Sequence, residues 1–286
     1  MLAAFIWGSG HPIGKLILEE IHPVQLSMLS AALTFLTLAV ILGISREGKT
    51  VGRLGPRGLG LGALGGLLIF FIYPILGFSA LQRIPASVNS VLVATSTIFA
   101  TLIAIPTLGE RLRPLNYAGV LLAFVGVPFV VFSSGWSSVS FQALNPSGVL
   151  LALGGAIVSA LYTITGKAAM SSYDALSITV VASLTGSVLQ AIVTCCLFGC
   201  REITSVSPLV LVMILYWGIF SGVAYVLYYR CLKGLEAARA SSFIYFAPLF
   251  AVVSSFVILG EPLGVMLVLG MALIFAGVHL TQKRGV

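Results

Sequence analysis

The chain has 286 residues, of which 59% are hydrophobic and 8% charged, and its mean hydropathy is +1.12. A soluble domain carries about 25% charged residues, so this composition excludes a water-soluble fold and defines an integral membrane protein. The formal charge of +7 comes without the clustered basic and aromatic residues of a nucleic-acid surface, and reports orientation in the bilayer instead.

The apolar runs are continuous rather than alternating, so the spans are helices and not barrel strands. About ten spans are predicted, near 1–18, 24–44, 59–81, 87–108, 115–132, 147–169, 175–197, 207–230, 240–260 and 263–281. Met1 already lies inside the first run, with no basic stretch before it, so a trimmed start is expected rather than a signal peptide.

Span one holds WGSGHPIGK (7–15). Pro12 removes a backbone donor, and Gly8, Gly10 and Gly14 surround it, so the helix is expected to bend or unwind. Such backbone is tolerated in lipid only when buried in protein or lining a cavity. Trp7, Ser9 and His11 are therefore candidate substrate contacts, the alternative being that the glycines serve close packing and that His11 and Lys15 reach an interface. In span three, Gly58, Gly62 and Gly66 form a ridge suited to helix contact, followed by Tyr73, Pro74 and Phe78. Span four offers Asn89, Ser90 and Ser96, although serine also bonds to its own helix backbone.

Span seven ends on a cysteine trio, Cys195, Cys196 and Cys200. With Cys231 it lacks metal-type spacing and reads as apolar filler. Span eight is aromatic, with Tyr216, Trp217, Tyr225, Tyr228 and Tyr229. Tyr225 lies a turn deeper and is the better candidate, while Arg230 assigns Tyr228 and Tyr229 to a headgroup belt. Span nine adds Tyr245 and Pro248.

The halves repeat. LGERL (108–112) matches LGEPL (259–263), and the same offset of 151 pairs Leu81 with Leu232, Gly119 with Gly270 and Gly126 with Gly277. Gly14-Lys15 meets Gly166-Lys167 at one residue more. Five spans per repeat is an odd number, so the second copy enters the membrane from the opposite side. The predicted fold is all-α integral membrane, with about ten transmembrane helices as two inverted-topology five-helix repeats, at 1–132 and 147–281. Basic residues gather on alternate loops (Arg46, Lys49, Arg53 and Arg57; Arg111 and Arg113; Lys233 and Arg239; Lys283 and Arg284), which places both termini in the cytoplasm. Glu110 and Glu261, at the repeated turn, are expected to cap the next helix or pair with an arginine.

The order of AAFIWGSGHPIGK (3–15), LGERL, SALYTITGK (159–167) and LGEPLGVMLVLGMALIFAGV (259–278) resembles the EamA-type members of the drug/metabolite transporter superfamily. The resemblance implies a ten-helix inner-membrane carrier of small metabolites, with amino acids and related compounds the leading cargo. Nucleotide sugars or sugar phosphates are the alternative, for which Lys15 and Lys167 would supply charge. No zinc, phosphate-loop or nucleophile-elbow motif occurs, and no paired carboxylates lie within a span. A membrane enzyme or lipid-handling subunit is disfavoured on that ground, and no cofactor or metal is called for. The expected partners are a small-molecule substrate and membrane lipids, with no nucleic acid, and the expected assembly is a monomer or homodimer. His11 alone is a titratable group deep within a span, which leaves a downhill carrier or one coupled through His11.

Overall fold

The computed structural model describes residues 1–45, 52, 54–108, 114–134, 145–170, 172–198, 206–234 and 246–282. Every regular element among them is helical: α1 (Leu2–Ile17), α2 (Pro23–Ile44), α3 (Gly55–Gly65), a π segment (Gly66–Ile72), α4 (Tyr73–Arg83), α5 (Ala86–Ala94), α6 (Ser96–Leu108), α7 (Pro114–Val131), α8 (Pro146–Met170), α9 (Ala175–Phe198), α10 (Pro208–Gly234), α11 (Phe246–Leu259) and α12 (Val265–Gln282). Seven rods are long and apolar enough to cross a membrane, counting Gly55–Arg83 and Ala86–Ile103 as one each. The shorter apolar α11 and α12 lie where the ninth and tenth spans are predicted, and α1 lies where the first is predicted. Two spans are interrupted: the third by the π segment, the fourth by a break at Thr95.

Proline marks where several helices start, since its missing N–H is an orphan there in any case: Pro23, Pro114, Pro146 and Pro208 each open one. His22 caps α2 by accepting from Val24 N–H at 3.3 Å, while Gln25 reaches back to the His22 N–H at 3.1 Å. In the second repeat Asp174 does the same for Ser177 N–H ahead of α9.

Packing obeys a pseudo-twofold that exchanges the repeats. The contact of α1 with α11 has its partner in α8 with α5 and α6. That of α2 with α10 is matched by α9 with α3 and the π segment, and that of α1 with α10 by α8 with α4. Three contacts map onto themselves: α2 with α9, α5 with α11, and α7 with α12. The last is a glycine seam. A Cβ on Gly126 would lie 2.8 Å from Gly270 O, and one on Gly277 would lie 2.5 Å from Gly119 O; the offset of 151 turns one contact into the other.

The extra residue in the offset has a structural location. Up to the π segment the repeats correspond at 152: Gly66 seats on Thr185 as Gly218 seats on Leu33, and Ser27 bonds to Pro23 O as Thr179 bonds to Ala175 O. From Leu81 onward the offset is 151. One residue has therefore been inserted into span three, and the helix absorbs it as π turns, whose five-residue spacing consumes an extra residue. Pro74 follows at once and has no N–H for the carbonyl below. The carbonyls of Phe70 and Phe71 are covered instead by Gln190 of α9, whose Nε2 donates to them at 3.4 and 3.0 Å. In the first repeat the position equivalent to Gln190 is Leu38, fully buried in an apolar cluster.

At the end of the bundle where α1 finishes, Glu20 accepts from the Ser207 N–H and the Ser207 hydroxyl, both at 2.7 Å. These bonds hold its carboxyl below the usual carboxylate range. The folded pKa then lies below the unfolded one, so this stabilisation is present above the unfolded value and lost as pH falls through the folded value. His22, pushed down by partial burial and by Arg83, loses stability in the same direction, at the higher pH of an imidazole. In an acid titration of the melting temperature, Glu20→Gln is expected to remove the lower step and leave the His22 step. An unchanged profile would show that the Ser207 bonds carry no stability.

Candidate functional site

α1 is one continuous helix through Pro12, so the chain does not unwind there. Its glycines serve packing. A Cβ on Gly8 would meet Ala247 O and Phe250 of α11, and the seat of a Cβ on Gly10 is occupied by the ring of Trp217 from α10. Close contact on those faces turns the larger side chains of α1 toward the junction of the repeats. Trp7 and His11, a helical turn apart, share one face.

His11 Nδ1 lies 3.3 Å from Asn89 Nδ2 of α5. Asn89 is buried, and its Oδ1 has no partner. The roles of the amide and the ring depend on hydrogen placement, but either placement leaves the pair with at least one donor and one acceptor that this bond does not use. Such an orphan is costly, about 1–3 kcal/mol, and marks a place where a ligand or a rearrangement supplies the missing bond. Ser9 is buried; its hydroxyl donates to Ile6 O at 3.2 Å and sits 3.3 Å from the Tyr216 hydroxyl.

Beside the polar pair stands an aromatic wall. Trp7 meets Tyr225 and Tyr228 edge-on, with centroids 5.3 and 5.9 Å apart, and Tyr225 lies 5.3 Å from Phe70 of the π segment. Tyr73 and Tyr162 pack with Tyr225 around Ile69, Phe70 and Ala182. Trp7, His11, Tyr73 and Tyr225 are all half-buried rather than covered. The arrangement offers hydrogen bonds at one end and flat apolar surface at the other, which suits a small amphipathic molecule.

The structure thus brings Trp7, His11, Asn89, Tyr73 and Tyr225 into one region, with Ser9 on the neighbouring face. Tyr228, which the sequence places in a headgroup belt, packs edge-on against Trp7. Phe78 is buried in a cluster with Ile17 and Leu81, 6.1 Å from the Trp217 ring, and is core. Ser90 is buried and its hydroxyl is spent on Ser87 O at 2.7 Å. Ser96 opens α6 beyond the Thr95 break, and no described contact joins it to the others. Tyr245 lies outside the described residues, as do Glu110 and the side chain of Lys167. Lys15 donates to Ile84 O at 2.5 Å, which engages the ammonium at the end of α4. Gln190 escaped sequence reasoning. The signals that could have found it are Pro74 and the one-residue change of offset.

The EamA-like transporter family model matches residues 1–132 and 146–282. An uncharacterized transporter of Archaeoglobus fulgidus is 26% identical over 99% of this chain and 97% of its own length. A probable terminal-alkyne amino-acid exporter of Streptantibioticus cattleyicolor is 27% identical over 99% of this chain and 92% of its own. A solved crystal structure superposes with a TM-score of 0.66 at 20% identity, over 97% of this chain and 95% of that one, which speaks to the fold alone. With two matched copies, a pseudo-twofold relating them and an aromatic and polar junction between them, the chain belongs to the EamA-like transporter family.

Proposed function

We propose that this transporter exports amino acids or closely related compounds across the inner membrane by alternating access, with both termini cytoplasmic and the segments 1–132 and 147–281 as its two interleaved repeats. The observation that carries the cargo class is the His11–Asn89 pair beside the Trp7–Tyr225 wall. A donor and an acceptor answer the carboxylate and ammonium of an amino acid, and the wall answers its side chain. The amino-acid exporter among the relatives supports the same class. Sugar phosphates and nucleotide sugars are less favoured, because Lys15 is committed to Ile84 O and no other cation has been located at the junction among the described residues.

The test is efflux from proteoliposomes loaded with amino acids and other polar metabolites, read by mass spectrometry against empty liposomes. Selective loss of amino acids is expected; selective loss of phosphorylated compounds would replace this reading by the alternative. Asn89→Leu is then expected to slow efflux about tenfold or more, the equivalent of one hydrogen bond to a charged group at about 1.5–3 kcal/mol. If efflux by folded Asn89→Leu matches the parent protein, the pair does not bind cargo.

A further inference from the structure

The repeated Gly-Glu turn has a mechanical use at the end of the bundle where α1 finishes. Gly260 adopts φ +65° and terminates α11, with its N–H on Phe256 O at 3.2 Å and the Glu261 N–H on Ser255 O at 3.3 Å. This left-handed stop is one that glycine makes without strain. It does not leave Glu261 capping the helix that follows, as the sequence suggests. The carboxylate crosses to the other repeat. Oε1 accepts from the Ala86 N–H at 2.7 Å, and Oε2 accepts from the Ser87 N–H at 3.0 Å and from the Ser87 hydroxyl at 2.5 Å. The first turn of α5 has no side-chain cap of its own. A residue of the second half therefore satisfies the orphan donors of a helix in the first, where the helix dipole favours a carboxylate. Lys15 lies at the same corner, bonded to Ile84 O and within electrostatic reach of Glu261 and Glu19.

A cap made locally would stabilise α5 equally well without joining the repeats. This one joins them, and it is made of polar bonds that water can replace. The other tie at this end behaves differently. Ile21 and Val210 pack there beside the Glu20–Ser207 bonds. At the offset of 152 their equivalents are Tyr173 and the seat of Gly58 at the opposite end, where the Tyr173 ring lies 3.1 Å from a Cβ built on Gly58. That tie is closed at both ends of the bundle and does not distinguish them. The Glu261 clasp, in contrast, connects directly to the candidate site: α5 runs from Ala86 to Asn89 in one turn, and α1 runs from Lys15 back to His11 in one turn.

We propose that Glu261, Ser87 and Lys15 form the gate at this face, closed in the present structure and unclasped when the site opens to that side. The proposal rests on the alternating-access reading above. The experiment uses the full chain with its four cysteines replaced by alanine. With Ser87→Cys and Glu261→Cys added, oxidation to a disulfide is expected to stop efflux and reductant to restore it. Undiminished efflux from the cross-linked protein would overturn the gate. Separately, Ser9→Cys is labelled by a membrane-impermeant thiol reagent applied from the face that carries Glu19. Glu261→Gln and Glu261→Ala are each expected to speed labelling about tenfold, as a shift toward the open state requires. Equal labelling rates in both variants and the parent would also overturn it. If the unlinked protein moves no amino acid, the cargo reading fails while the labelling rates still decide the gate.

Discussion

Gln190→Leu is expected to lower the stability of the folded protein by about 2 kcal/mol, and Pro74→Tyr is expected to restore most of that loss. Passing from five-residue to four-residue spacing skips a carbonyl, and Pro74 withholds the N–H that would serve another. The carbonyls of Phe70 and Phe71 accept from the amide of Gln190, which is fully buried. Its loss exposes the desolvation cost of an unmade buried bond, about 1–3 kcal/mol. The symmetry-related contact of α2 with α10 is a natural control: Leu38 of α2 stands in place of Gln190, Tyr225 of α10 in place of Pro74, and α10 is uninterrupted. Thermal unfolding in detergent for both single variants and the double variant checks this. Additive losses would mean that Gln190 and Pro74 act independently and that the account of the π segment is wrong.

The same segment shows what the sequence could convey. The ten spans were legible because continuous apolar length is the dominant constraint in a bilayer, and the inverted repeat because Gly-Glu turns and the glycine seam of α7 and α12 recur at fixed spacing. His11 stood out because a titratable residue inside a span is rare. The one-residue change of offset was visible, but its location was not, since a π insertion has no compositional mark apart from a following proline. Pairings across the repeats were hidden for a different reason. Glu261 and Ser87, or Gln190 and Phe70, are far apart in the chain, and no local periodicity connects them. Pro12 misled for a related reason: the carbonyl it frees was expected to allow α1 to unwind, whereas the helix is continuous there and is seated closely at Gly8 and Gly10 against α11 and α10.

Gly10→Leu is expected to prevent the native packing of α1 on α10, at a cost of about 3 kcal/mol or more, because the Trp217 ring already fills the Cβ seat. Trp217→Gly alone is expected to cost about 3–5 kcal/mol by leaving a ring-sized void among Phe78, Ile13 and Leu33. The repeat supplies the compensating pair. At the offset of 152, Gly10 corresponds to Tyr162 and Trp217 to Gly65, and there the contact is inverted: the Tyr162 ring lies 3.3 Å from a Cβ built on Gly65. Knob and hole have exchanged helices while the volume between them is kept. Gly10→Tyr combined with Trp217→Gly should therefore recover much of the stability that each change loses alone, with a coupling of about 2–3 kcal/mol in a double-mutant cycle. The same double variant removes the residue beside Tyr216 and places a phenol one residue from His11, so its amino-acid selectivity in the efflux assay should change even where its melting temperature is restored. Recovery of stability with unaltered selectivity would separate the Trp217 seat from the cargo site; no recovery at all would mean that the two seats are not structural equivalents.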